Sequence, residues 1–162
     1  MSVETEVVRE ATDELVEAFA RLLPQLSTTA EPLDHQALDR LAACSTNSLL
    51  VARVEDLVVG TLTLMMSPLP SGLRAHIEDV VVDAGARGHG VGKVLIDRAL
   101  ELAADAGART VDLTSRPSRK AANRLYERAG FRQRESNVYR FTLRPRHSPG
   151  SGEENHLSGV KG

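Results

Sequence analysis

The chain has 162 residues, of which 41% are hydrophobic and 26% charged, and these values predict one soluble globular domain. Its single cysteine, Cys44, excludes an internal disulfide and a multi-cysteine metal site. The net charge of −2 conceals an asymmetry, because residues 1–83 carry 14 acidic and five basic side chains and residues 84–162 carry eight acidic and 15 basic ones. A basic half suggests an anionic ligand and an acidic half a cationic one, although an uneven scatter of charges would look the same.

Composition argues against two further classes of protein. The basic residues are not interleaved with aromatic ones, so we expect no nucleic acid as a partner. The longest apolar run, Leu57 to Met66, is too short to cross a bilayer, and the first residues lack the basic-then-apolar order of a signal peptide. We therefore expect a cytoplasmic protein that does not act in a membrane.

The first half of the chain predicts a strand, two helices and three further strands. Thr12 or Asp13 can cap the first helix, in which apolar side chains recur every three or four residues, and Pro24 is expected to bend or end it. Residues 33–43 form the second, shorter helix. A hairpin turn at Glu55-Asp56 joins two of the strands. The predicted strands cover residues 3–10, 49–54, 57–66 and 75–83.

The second half predicts alternating helices and strands after a glycine-rich segment. One helix, with apolar positions from Val91 to Ala106, is closed by Gly107, and a last helix runs from Ser118 to Ala129. Strands are predicted over residues 110–114 and 138–143. We expect residues 1–143 to form a single mixed α/β domain. Residues 144–162, which are rich in proline, glycine, serine and charge, are expected to form a disordered tail.

The glycine-rich segment is the strongest local signal for a ligand. Gly88, Gly90 and Gly92 alternate between a strand and a helix, where glycine lets backbone N–H groups approach a ligand and the helix N-terminus favours an anion. Arg87 and Lys93 add positive charge on either side. The pattern indicates a phosphate or pyrophosphate site, with a plain flexible turn as the alternative. It fits neither a Walker loop, which needs Ser or Thr after Gly-Lys, nor a dinucleotide fingerprint, which needs a further glycine.

Two motifs carry a resemblance to a known family. Residues 87–92 read Arg-x-x-Gly-x-Gly, and residues 122–131 read Ala-x-x-Leu-Tyr-Glu-x-x-Gly-Phe. In this order they resemble the GNAT superfamily of N-acetyltransferases, in which the first motif is the pyrophosphate loop for coenzyme A. The resemblance is close over residues 75–143 and extends to residues 1–74 only through the order of the elements.

The resemblance implies both a fold and a cofactor. The fold is a central, mostly antiparallel sheet of six or seven strands, with a splayed fourth and fifth strand and about four flanking helices. The cofactor is acetyl-CoA, used as the acyl donor. The residues implied to bind it are Val80, Val81 and Val82, through backbone groups along the pantetheine arm, and Arg87, Gly88, His89, Gly90, Val91, Gly92 and Lys93, through amides around the pyrophosphate.

The second motif places a tyrosine near the reacting sulfur. The resemblance implies that Tyr126 protonates the leaving thiolate, and the alternative is a core aromatic residue without a chemical role. Members of the superfamily often have an asparagine near the cofactor at the position where this chain has Arg119. Asn123, one helical turn later, is the candidate to replace that contact.

Glu78 is the candidate general base. An amine must lose its proton before it attacks acetyl-CoA, and a carboxylate can accept that proton directly or through water. Glu78 and Asp79 are acidic residues in an otherwise apolar strand, where an unpaired charge is costly. Alternation along the strand predicts that Glu78 shares a face with His76, Val80 and Val82. Polyamine acetyltransferases of the superfamily have Leu-Glu-Asp at this place, so the resemblance implies Glu78 as the base; a salt bridge to a nearby arginine is the alternative.

These residues predict direct transfer of an acetyl group from acetyl-CoA to a primary amine in a ternary complex. No metal is expected, because the His76-x-Glu78 pair lacks the Cys-x-x-Cys that would complete a zinc site. The acidic first half is compatible with a small cationic amine. Two alternatives stay open, namely a protein N-terminal or lysine acetyltransferase and a non-catalytic acyl-CoA sensor, which would need neither Glu78 nor Tyr126. Dimers are common in the superfamily, so a homodimer is open too.

Overall fold

A computed structural model describes residues 2–144 of the chain. Within them, one five-stranded sheet has the order β1-β2-β3-β4-β5, in which only β4 and β5 run parallel. The strands are β1 (Val3–Val7), β2 (Asn47–Val54), β3 (Leu57–Leu69), β4 (Gly72–Val82) and β5 (Val111–Asp112). The helices are α1 (Asp13–Leu26), α2 (His35–Ala42), α3 (Val91–Asp105) and α4 (Lys120–Ala129). The mixed α/β fold with a splayed fourth and fifth strand is thereby confirmed, with five strands in place of six or seven.

Local sequence explains the N-terminal elements. The Thr12 hydroxyl accepts a hydrogen bond from the backbone N–H of Leu15 at 3.2 Å, which confirms Thr12 as the cap of α1. Glu55 and Asp56 both have positive φ, of 49° and 65°, as a two-residue hairpin turn of the primed type requires. Pro24 lies inside α1, and the helix ends two residues later.

The two faces of the sheet are covered by different helices. The face that packs against α1 and α2, here called the α1 face, contributes Val51 and Val81 to a core with Leu22 and Leu38. The opposite face, here called the α3 face, contributes side chains of β2, β3 and β4 to a core with α3 and Tyr126 of α4. These cores are mostly aliphatic, as the low aromatic content of 3% predicts.

A β-bulge interrupts β4 and changes which residues share a face. Thr63 of β3 pairs with Glu78, but Thr61 pairs with Val81, so two residues of β4 lie opposite one residue of β3. Asp79 lies at the bulge and has a φ of 52°, in the left-handed region. Directly paired residues share a face, and therefore Glu78 lies on the α1 face together with Val81.

This bulge corrects the alternation expected from sequence. Val80 and Val82 pack against the core of the α3 face, whereas Glu78 lies on the α1 face. The expectation was wrong because strict alternation holds only while both strands advance by one residue at each step, and one extra residue reverses every side chain that follows.

Strands β4 and β5 pair over a short distance only. Their register joins Ala75 to Val111 and His76 to Asp112, while β4 continues to Val82. One edge of β4 pairs with β3 and the other with β5. Within residues 2–144, no strand pairs with the β5-facing edge from Ile77 to Val82. We call this stretch the open edge of β4.

The strand predicted over residues 138–143 is absent. The chain divides into two units, residues 1–132 and 133–162, and the described part of the second, residues 133–144, contains neither helix nor strand. Its apolar side chains are 74–88% exposed; they are Val138, Tyr139, Phe141 and Leu143. Apolar residues alternating with polar ones are typical of a strand, but a strand also needs a neighbour for its backbone groups. The predicted tail lies, apart from Arg144, outside the described residues.

No helix among the described residues has both the length and the apolar character required to cross a lipid bilayer.

Candidate active site

The glycine loop joins β4 to α3 in a conformation that requires glycine. After a short 3-10 helix at Ala84–Ala86, Gly88 and Gly90 have φ of 83° and 79°. Gly90 is the N-cap of α3 and has no side chain that could bond the first turn. The N–H groups of Val91 and Gly92 therefore lack helical partners and point out of the helix N-terminus, where they favour an anion.

Gly92 serves a different purpose, because its φ is not positive. A Cβ added to it would lie 3.0 Å from Cδ2 of Leu125 in α4 and 3.8 Å from Cγ2 of Val82 in β4. A hydrogen atom at this position thus allows α3 and α4 to approach each other beside the open edge of β4. Space around Gly88 and Gly90 is open, with nothing within 4 Å of an added Cβ.

Cationic and imidazole side chains surround the loop. Arg87 and His89 are exposed. Lys93 forms an ion pair with Asp97, with Nζ to Oδ2 at 2.5 Å, one turn along α3. An exposed pair of this kind contributes at most about 1 kcal/mol, so the ammonium can leave Asp97 for a phosphate at little cost.

A cluster of polar side chains anchors the start of the loop to α1. Gln25 accepts a hydrogen bond from the N–H of Ala84 at 2.9 Å, and Arg21 bonds both Asp83 and the carbonyl of Val58. Asp83 is held as a carboxylate: partial burial opposes this, but hydrogen bonds from the Gly85 N–H and from Arg21 and Gln25 lower its pKa. Local sequence patterns could not predict this cluster, because Arg21 and Asp83 are 62 residues apart in the chain.

The open edge of β4 presents backbone groups of alternate residues. The N–H of Asp83 donates to the carbonyl of Val59 at 2.8 Å, so Asp83 faces β3. Backbone N–H and C=O groups of successive residues point to alternate sides of a strand. Those of Val81 therefore point toward β3, and those of Val80 and Val82 point toward the open edge. Of the three valines predicted to bind the pantetheine arm, Val80 and Val82 have backbone groups available there.

Glu78 is exposed on the α1 face, one residue before Asp79 of the bulge. It forms no ion pair with an arginine within residues 2–144, so the alternative of a structural salt bridge finds no support there. Its exposure means that the carboxylate is not held in the dry strand that the sequence suggested. It can instead meet a solute directly.

Tyr126 is buried in the core of the α3 face, with only 7% of its surface exposed. Its ring packs edge-to-face on Phe131, with centroids 6.1 Å apart. Burial raises the pKa of the phenol, and the positive charge of Arg119 only partly opposes this. Tyr126 therefore carries its proton at neutral pH and can donate it.

Arg119 is a cationic residue near the candidate site whose effect on Tyr126 the sequence did not reveal. It occupies the position where the resemblance leads one to expect asparagine, and its positive charge lowers the pKa of Tyr126 in part. The spacing of seven residues, two helical turns, was the available signal. Asn123, the predicted substitute, donates from Nδ2 to the Arg116 carbonyl at 3.1 Å and so closes the loop before α4.

Comparison with known proteins decides the family. The acetyltransferase (GNAT) family matches residues 11–131 of the chain. The chain belongs to this acetyltransferase family. A glucosamine 6-phosphate N-acetyltransferase from Trypanosoma brucei brucei is 38% identical over 116 residues, which cover 67% of this chain and 77% of that protein. The crystal structure of an acetyltransferase from Trypanosoma brucei has a TM-score of 0.71 and 30% identity, and the match covers 88% of this chain and all of that one.

Another relative is much longer than this chain. An uncharacterized protein from Mycobacterium leprae, ML0378, is 30% identical over 142 residues. The match covers 88% of this chain but only 37% of that protein. This chain therefore spans little more than a third of that protein's length.

In this acetyltransferase domain the two candidate catalytic side chains approach the sheet from opposite faces. Glu78 is on the α1 face and Tyr126 is in the core of the α3 face. Between these faces lies the open edge of β4, which no other strand of residues 2–144 pairs with.

Proposed function

We propose that this chain transfers the acetyl group of acetyl-CoA to the primary amine of a small molecule, directly and in a ternary complex. The observation that supports it most is the separation of Glu78 and Tyr126 onto opposite faces of the open β4 edge. Such an arrangement lets the amine and the thioester meet without a covalent enzyme intermediate.

The chain's own groups fit coenzyme A. The first turn of α3 offers free N–H groups at Val91 and Gly92 to a pyrophosphate, and Arg87 and Lys93 supply charge around it. The open edge of β4 offers the backbone of Val80 and Val82 to the amides of a pantetheine arm. Acetyl-CoA, when bound, supplies a thioester whose C–S bond breaks as the C–N bond to the amine forms.

Each side chain has one proton to move. Glu78 accepts the proton of the attacking amine, directly or through water, because it is exposed to the acceptor on the α1 face. Tyr126 donates its proton to the sulfur, since its raised pKa keeps it protonated at neutral pH. A backbone N–H of Val80 or Val82 donates to the carbonyl oxygen as negative charge develops there.

Two kinds of amine acceptor are compatible with this chain. The acidic balance of residues 1–83 favours a cationic amine such as a polyamine or an aminoglycoside. The relative from Trypanosoma brucei brucei is named for glucosamine 6-phosphate, an amino sugar that also carries an anion. Both kinds of acceptor belong in the first assay.

The test is release of free thiol from acetyl-CoA with a panel of amines. We expect Glu78→Gln and Tyr126→Phe each to lower kcat by about 100-fold or more, as is typical of the loss of a general base or a general acid. Glu101→Gln and Tyr139→Phe are matched controls, because both side chains are exposed. Neither control should change turnover.

Three results would count against the proposal. Acetyl-CoA that fails to bind would remove the role of the glycine loop. Binding without turnover of any amine would favour an acyl-CoA sensor. Turnover of a peptide or protein amine in preference to every small amine would favour a protein acetyltransferase.

A further inference from the structure

Part of the α1 face is not covered by helices. Arg74, His76 and Glu78 alternate along β4 before the bulge, so their side chains all project from this face. Arg74 and His76 are half-buried and Glu78 is exposed. Asp112 of β5 lies directly beside His76 in the register and is exposed as well.

Uncharged side chains complete this surface. They belong to the residues of β3 that pair with the polar residues of β4. Ser67 pairs with Arg74, Met65 with His76 and Thr63 with Glu78, and these three β3 residues are all half-buried. We call the surface formed by these residues and by Arg74, His76, Glu78 and Asp112 the acceptor platform.

Charge is ordered along the platform. Glu78 lies at the end next to the open edge of β4. His76 follows about 7 Å away and Arg74 about 13 Å away along the strand. Arg74 and His76 form no ion pair or side-chain hydrogen bond with any other residue among those from 2 to 144. A half-buried guanidinium without a protein partner can bind an anion from solution without first breaking an ion pair within the protein.

We propose that Arg74 and His76 bind an anionic group of the acceptor, and that the acceptor is therefore a small amine that also carries a phosphate. This inference rests on the proposed function, which places the reacting amine at Glu78. The amine and the phosphate of one molecule would then lie toward opposite ends of the platform, as in an amino-sugar phosphate.

The second carboxylate on the platform limits the kind of molecule that fits. Asp112 lies beside His76, between the two ends, where it can accept hydrogen bonds from hydroxyl groups. A second amine near Arg74 would be repelled by the guanidinium. The platform thus favours a hydroxylated amine phosphate over a polyamine, in contrast to the net charge of the first half of the chain.

Binding and its location can be measured without turnover. Glucosamine 6-phosphate, phosphoethanolamine and unphosphorylated glucosamine are titrated into the full chain, and backbone amide shifts are followed by NMR. The phosphorylated probes should perturb the amides of residues 74–78. Arg74→Gln should raise their Kd by about 10-fold or more, the loss expected for one charge-assisted contact. Affinity for glucosamine should not change.

A matched variant separates this effect from a general loss of positive charge. Arg98→Gln removes a cation from α3, on the other side of the sheet, where Arg98 pairs with Glu101 at 3.0 Å. It should leave every Kd unchanged. In the turnover assay, Arg74→Gln should raise KM for the phosphorylated acceptor and leave kcat nearly the same, as expected when binding to substrate and transition state is lost equally.

Failure of this inference can be distinguished from failure of the proposed function. It is overturned if neither phosphorylated probe binds, if only the glycine-loop amides of residues 88–93 respond, or if Arg74→Gln behaves like Arg98→Gln. Arg74-dependent binding at residues 74–78 in a protein that releases no thiol would keep the anion site and reject the acetyl transfer.

Discussion

Arg21 of α1 donates a hydrogen bond from Nε to Oδ2 of Asp83 at 3.1 Å, and so ties the first helix to the last residue before the glycine loop. The same guanidinium reaches the carbonyl of Val58 in β3. Gln25, one turn later in α1, holds the next residue, Ala84, through its N–H. Helix α1 therefore helps to fix the position from which the glycine loop starts.

Arg21→Ala should have a clear effect on KM for acetyl-CoA but only a small effect on the free energy of unfolding. The ion pair is partly exposed, with 40% of the Arg21 side chain accessible, so its loss should cost at most about 1 kcal/mol of unfolding free energy. A displaced loop, however, should raise KM for acetyl-CoA several-fold while kcat changes less. Steady-state kinetics and urea unfolding measure the two effects. A KM equal to that of an Arg98→Ala control would show that α1 does not position the loop.

Replacement of Gly90 by alanine should destabilise the protein by about 1–2 kcal/mol, because its φ of 79° is costly for a residue with a Cβ. The same change should weaken acetyl-CoA binding, since it disturbs the first turn of α3. Gly85→Ala is the matched control: an added Cβ there meets nothing within 4 Å, and its φ is not in the left-handed region. Equal unfolding free energies for the two variants would contradict this reasoning.

Gly92→Ala tests the contact between α3 and α4. The added methyl group would meet Leu125 at 3.0 Å, and overpacking of this kind costs about 1–3 kcal/mol. Leu125→Ala should relieve the clash, so the double variant should lose less stability than the two single changes added together. A double-mutant cycle from urea unfolding measures this coupling. Strict additivity would mean that the helices separate without strain.

The buried phenol of Tyr126 predicts a specific loss of stability in alkali. Its pKa is raised by burial, so its contribution to stability is fully present below its ordinary value of about 10 and is lost as pH rises through the raised value in the folded state. Tyr126→Phe should therefore flatten the decline of unfolding free energy above about pH 10. Tyr139→Phe, at an exposed tyrosine, should not. If the unfolding free energy of Tyr126→Phe falls as steeply with pH as that of the original chain, the loss of stability in alkali comes from other groups.

Several elements could be predicted from sequence because their causes are local. The Thr12 cap, the turn at Glu55-Asp56 and the glycine loop each depend on residues within one or two turns of each other. Gly88 and Gly90 adopt backbone conformations that only glycine adopts easily, which explains why the glycine loop could be recognised from sequence.

Tertiary structure alone decided how these elements form a site. The bulge at Asp79 arises from the pairing of β4 with β3, and it places Glu78 and Val80 on opposite faces, which alternation within β4 could not show. The strand expected near Tyr139 is absent, because an alternating pattern specifies a strand's faces but not the neighbour that must bond its backbone. Sequence by itself thus determined the resemblance to the family and the conformation of the glycine loop, whose signals lie within short segments. The sheet faces of the candidate catalytic side chains, and the ion pair between Arg21 and Asp83, depended on contacts between segments far apart in the chain, which local periodicity does not encode.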